Sequence, residues 1–216
     1  MTKHFKLALI AASISLLAVP AQAHRAWLLP SATVLSGTDA WVTVDAAISN
    51  DLFYFEHHAL QLDNLSIVGP DGKTVAPENA AKGRFRSTFD VKLAEPGTYK
   101  VMVINQGAFA RYKLDGQNKR WRGKADQIAT AIPANATDVR VSEIQSRIES
   151  FVTSGKPSTE TLKPTGTGLE MIPVTHPNNL VAGEKATFRL VLDGQPASGV
   201  NVDIVPGGIR YRDKLN

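Results

Sequence analysis

The residues best suited to chemistry in this chain are histidines. Of five in 216 residues, His4 sits in an N-terminal leader, which leaves His24, His57, His58 and His176. His24 directly follows a small-x-small triplet in "AQAHRAWLLPS", residues 21 to 31. Cleavage after Ala23 would make it the first residue of the mature protein, with a free α-amine beside its imidazole. Amine and ring Nδ1 can then close a chelate ring on one cation. Unperturbed, the amine titrates at about 7.7–8.0 and the imidazole at about 6.5, so both are accessible as neutral donors near neutral pH. Such nitrogens suit Cu(II), Ni(II), Co(II) or Zn(II) rather than calcium or magnesium. The bland alternative is an exposed histidine that the peptidase merely tolerates.

The second candidate is "NDLFYFEHHALQL", Asn50 to Leu62. On an extended strand Phe53, Phe55 and His57 would face one way and Tyr54, Glu56 and His58 the other. Only one of the two histidines could then meet His24, whereas an irregular loop could bring both. A hydrogen-bonded core histidine is an equal alternative for His57. Glu56 is a ligand, an acceptor for a ligand's N–H, or a solvated carboxylate. His176, in "VTHPNN", either joins the same site from the entry to a second module or is a loop residue fixed by Pro177.

Catalytic sets are missing from the sequence. It contains no G-x-S-x-G, no H-E-x-x-H and no cysteine, and Asp39, Asp45, Asp51 and Glu56 form no paired pattern. No catalytic residue is assigned. One enzyme class does begin with an N-terminal histidine, the secreted copper oxygenases that attack polysaccharides. Those need a second histidine and a flat aromatic surface, and with 3 Trp and 4 Tyr no such array is evident.

These side chains need an exported scaffold. Residues 1–23 read as a signal peptide: Lys3 and Lys6, an apolar run from Leu7 to Val19, then Ala21-Gln22-Ala23. That run is too short for a membrane span, and no other is longer. Two of the 24 basic residues leave with the leader, so the excess over 20 acidic ones is too small to argue for nucleic acid. Without cysteine there is no disulfide to staple the fold, and any metal site must use nitrogen and oxygen.

The positioning elements are strands. "AWVTVDAAI", "LSIVG", "STFDVKL", "TYKVMVIN", "ATFRLVL" and "VNVDIVPG" are short, rich in β-branched or aromatic residues, and bounded by turns such as "GPDGK" and "EPGTY". This predicts a mostly β protein: an immunoglobulin-like antiparallel β-sandwich over residues 24–153, a connector over 154–168, and a partial second sandwich module over 169–216. The connector, "SGKPSTETLKPTGTG", is expected to be semi-extended. The polar stretch 107–142 is expected to decorate the sandwich as loop and short helix, the helix over Lys124–Ile132 ending at Pro133. Trp121, in "KRWRG", is expected to anchor a loop with arginine stems packed on it.

At "AHRAWLLPSATVLSG", "SNDLFYFEHHAL" and "GLEMIPVTHPNNLVAGEKATFRLVLDGQPASGV" the chain resembles a bacterial family of exported β-sandwich proteins of undefined function, often described as periplasmic nickel or cobalt uptake components. The resemblance covers essentially the whole mature chain, through His24 with Trp27 and through Leu169, Glu170, Pro173, Gly183 and Leu190. It implies a periplasmic protein that binds Ni(II) or Co(II), with Cu(II) or Zn(II) as further options. It would deliver the ion to a membrane transporter or outer-membrane receptor. It also implies His24 as the leading ligand, then His57 and His58, then His176. Members usually continue with further strands, which suggests a truncated second module here. The competing expectations are a non-metal ligand-binding or adhesion sandwich and the copper oxygenase.

Overall fold

A computed structural model describes residues 24–205; the expected leader and residues 206–216 lie outside the described residues. The protein is mostly β, with 49% strand and 5% helix. One sheet contains β1 (Arg25–Pro30), β3 (Trp41–Ser49), β7 (Ser87–Lys92) and β6 (Glu78–Lys82), in that spatial order, and β4 (His58–Ala59) also pairs with β3. The second contains β2 (Val34–Leu35), β10 (Thr137–Ser154), β8 (Gly97–Leu114) and β5 (Leu65–Val68), with β9 (Gln117–Gly123) against the outer part of β8. A third sheet contains β11 (Leu169–Pro173), β12 (Phe188–Leu192) and β13 (Gln195–Pro196).

The first two sheets form the sandwich. Their orders match the ABED and CFG sheets of an immunoglobulin constant-type domain, with β1, β3, β6 and β7 as A, B, D and E, and β5, β8 and β10 as C, F and G. The first strand changes sheets midway. Pro30, which has no N–H to give, ends β1, and Val34–Leu35 joins Thr153–Ser154 of β10 in parallel. Alternation sets the core: Val42, Val44 and Ala46 of β3 point inward, while Thr43 and Asp45 point outward. They pack with Leu28, Phe89 and Val91 of their own sheet and with Ile67, Tyr99, Val101, Val103 and Val152 of the other. The Tyr99 hydroxyl accepts from Glu95 N at 2.8 Å and donates to Glu95 O at 3.0 Å. This is the tyrosine corner of Greek-key sandwiches, closing the turn between β7 and β8. Beside it Gly97, at φ 140°, lies so close to Pro70 that a Cβ there would collide with Pro70 Cβ.

Three expectations change. The stretch 107–142 is largely strand rather than decoration: β8 and β10 run past the sandwich as an antiparallel ribbon widened by β9. Trp121 therefore lies on β9, not on a loop, and the helix shrinks to a single turn, α1 (Ile128–Ala131), after a 3₁₀ turn at Ala125–Gln127. The segment 154–168 is not a free connector. Ser158 exchanges hydrogen bonds with Thr98, and the buried Thr161 hydroxyl donates to Thr98 O. Finally, the described part of "VNVDIVPG", 200–205, pairs with no strand.

The outer face of β8 is thus covered too, which is why Thr98, Lys100 and Met102 are buried along with Tyr99, Val101 and Val103. A nearly dry charge network fastens the third sheet there. Lys100 Nζ lies 3.8 Å from Glu149, whose carboxylate is 3.0 Å from Arg147; Arg147 in turn is 3.5 Å from Glu170 on β11. Glu170 also accepts from Thr165 N and Oγ1 and from Gly166 N, at 2.7–2.8 Å.

Candidate metal centre

Immunoglobulin topology gathers the start of strand A and the B–C and F–G connections at one end of the sandwich. His24 precedes β1, His57 and His58 lie between β3 and β5, and β9 lies between β8 and β10, so all three regions meet. The ring centroids of His24 and His57 are 3.8 Å apart, and those of His57 and His58 are 4.6 Å apart. All three side chains are exposed. Among the described residues, no hydrogen-bond partner takes up a nitrogen of these three rings.

The B–C segment reaches His24 because it is irregular. Phe53 adopts a left-handed φ of 69°, uncommon for a bulky residue, which breaks the extended run considered for Asn50–Leu62. The turn is pinned from beneath by Trp27. Its Nε1 donates to Ser49 Oγ at 2.7 Å, and its ring packs edge-on against Phe53 and obliquely against Phe55, at 5.5 and 5.4 Å between centroids. Arg86 then covers Phe55, with its guanidinium carbon 4.6 Å from the ring centroid. Glu56 fixes the same turn: its Oε1 accepts from Asn50 N at 2.9 Å and Asp51 N at 3.3 Å. That answers the question the sequence left open about this carboxylate, which acts as a loop cap. The final residues of the segment return to the sheet, His58 opposite Ile48 and Ala59 opposite Ala47.

His176 lies elsewhere. Its Nδ1 accepts from Asn178 N at 3.1 Å, so the proton is on Nε2, which faces Thr98 Oγ1 at 3.0 Å and Ser158 O at 3.2 Å. Thr98 starts β8, and Gln106, beside the histidine cluster, is eight residues further along the same strand, roughly 26 Å at strand rise. The structure therefore brings His24, His57 and His58 together and places His176 at the other end, with both nitrogens engaged.

Next to the cluster is a cleft of about 580 Å³, where the two sheets diverge. His24, Ile48, His58 and Gln61 form one wall, and Asn105, Gln106, Arg122 and Ser146 belong to the other. The sequence did not point to this second wall. Its residues are ordinary amides, a hydroxyl and a cation, and only the length of β8 and β10, with β9 against them, carries them to the site. Among the described residues, no three or more His, Asp or Glu side chains already form a cage that could hold a metal ion; the imidazoles stand side by side rather than converging.

A family model for a domain of unknown function, DUF4198, matches residues 21–216. The chain belongs to the DUF4198 family. No curated protein and no solved structure matches it. The match begins three residues before His24, so the histidine cluster, its Trp27 pin and the third sheet of this DUF4198 chain all lie within the family domain.

Proposed function

We propose that this DUF4198 protein is an exported metal-binding accessory protein that captures a transition-metal ion, Ni(II) or Co(II) before Cu(II) or Zn(II), and passes it to a membrane uptake system. The observation that carries the reading is the contiguous run of three exposed imidazoles at the expected mature N-terminus, whose ring nitrogens have no hydrogen-bond partner among the described residues. A working site takes the α-amine and Nδ1 of His24 as the chelate, and His57 or His58 turns inward as a third nitrogen donor. In the uncut chain the α-nitrogen of His24 is an amide and cannot serve, so processing creates the site. Exposure suits a carrier, since an ion held at the rim can be transferred without unfolding the sandwich. Calorimetric titration of the processed protein with each of the four ions tests the proposal. Strong binding that His24→Ala abolishes is expected; a His24→Ala variant that binds every ion as well as the parent would overturn it.

The cleft supports a second reading. Its amides and Arg122 suit a small polar ligand with no metal at all. That reading predicts ligand binding unaffected by chelators and by His57→Ala.

A further inference from the structure

The ribbon formed by β8, β9 and β10 carries three arginines in one row. Arg140 of β10 is directly opposite Arg111 of β8, and Arg111 is directly opposite Arg120 of β9. Directly opposed residues project to the same face, with neighbouring strands about 5 Å apart. Three guanidinium groups therefore share one face across a span of about 10 Å. Like charges so placed disfavour the sheet. Lys113, two residues along β8 from Arg111, adds a fourth cation to that face, and Arg122 of β9 adds a fifth.

Counter-charge is scarce. Lys113 pairs with Asp138 at 2.7 Å, and among the described residues no carboxylate forms an ion pair with Arg111, Arg120 or Arg140. Arg111 is instead held over the Phe109 ring, its guanidinium carbon 5.2 Å from the centroid, which fixes its position without neutralising it. The surface here is also concave: a hollow of about 550 Å³ is lined by Arg111, Lys113, Lys119, Arg120, Arg140 and Asp138. Neither packing nor ion pairing accounts for the row.

We propose that this hollow is a binding site for a ligand carrying two or more phosphate groups. Guanidinium forks match phosphate oxygens in pairs. Each phosphate brings up to two negative charges and three acceptor oxygens, so adjacent phosphates can satisfy several arginines where one carboxylate cannot. The phosphates can belong to a soluble oligophosphate or to the headgroups of an anionic lipid surface. The chemistry at the row is the same for both.

The experiment titrates the full chain with inorganic triphosphate by calorimetry and, separately, measures flotation with vesicles containing phosphatidic acid, both at low ionic strength. Binding to at least one probe is expected, weakening as salt is raised. Triphosphate alone would mark a soluble ligand, and vesicles alone a membrane surface. The triple variant Arg111→Ala, Arg120→Ala, Arg140→Ala is expected to weaken that binding at least tenfold while melting no lower than the parent, because crowding of like charges is relieved. The triple lysine variant keeps the charge but loses the forks and is expected to fall between the two. Should the triple variant not fold, Arg120→Glu on the edge strand β9 carries the same readout. Failure of the parent to bind either probe, or equal binding by parent and variant, overturns the proposal.

Discussion

The imidazoles of His24 and His57 lie 3.8 Å apart, centroid to centroid, although 32 residues of β-sandwich separate them along the chain. Both side chains are exposed, and among the described residues no hydrogen bond takes up a nitrogen of either ring; under the proposed function they would share a cation as neutral donors, since protonated imidazoles are not ligands. Substituting His57 by Ala is expected to weaken Ni(II) binding to the processed protein about tenfold or more, a loss of about 1.4 kcal/mol. Calorimetry of parent and variant measures it.

Trp27 decides whether the B–C turn reaches His24. Trp27→Phe keeps most of the packing on Phe53 and Phe55 but removes the donor to Ser49. A cost of about 1 kcal/mol in urea denaturation is expected, with weaker metal binding because the turn loosens. Proteolysis within residues 50–58 should become faster than in the parent.

His176 serves as the internal control. Changing it to Phe deprives Thr98, Ser158 O and Asn178 N of their partner, so stability should fall by about 2 kcal/mol. Metal affinity should stay within about twofold of the parent. A large loss of affinity would mean that His176 reaches the ion after all.

Glu170 gives the acid sensitivity a definite sign. Burial pushes its carboxyl up, but the hydrogen bonds from Thr165 and Gly166, together with the Arg147 guanidinium, outweigh this and hold it below its ordinary value of 4.5. A carboxylate depressed in the folded state contributes stability that is present above the unfolded value and lost as pH falls through the folded one. Below about pH 4.5 the third sheet should loosen before the sandwich does, seen as earlier amide exchange over 169–192. Glu170→Gln should remove that pH dependence and destabilise by about 3 kcal/mol, because Arg147 loses a buried partner.

Gly97 combines a backbone that side chains rarely adopt with a close neighbour, Pro70. Gly97→Ala should cost more than about 1 kcal/mol by urea denaturation, and more than the same change at Gly37, which has open space around it.

Much of the sandwich was legible because its strands alternate cleanly: β3, β5, β7 and the start of β8 each place apolar residues at every second position between turn residues. β10 was not. Val139 and Val141 share one phase, Ile144 falls in the other, and all three are exposed, so the two-residue period breaks where the strand leaves the core. β9 was hidden by cations on both sides of Trp121, a pattern that resembles a loop when no sheet is in view. At the site, the inventory singled out His24, His57 and His58. It could not show that both of the latter reach the N-terminus, because that depends on a left-handed Phe53, which a bulky side chain gives no reason to expect. The separation of His176 from the other three histidines also needed three dimensions: its partners Thr98 and Ser158 are remote in sequence.

The continuity of β8 and β10 has a mechanical side. The strands that carry the arginine row also supply Asn105, Gln106 and Ser146 to the histidine cleft and then run on into the closed interior. The ribbon is therefore a strut with no joint at its root. The outer end of the ribbon and one wall of the cleft belong to the same hydrogen-bonded ladder, so the position of one constrains the position of the other.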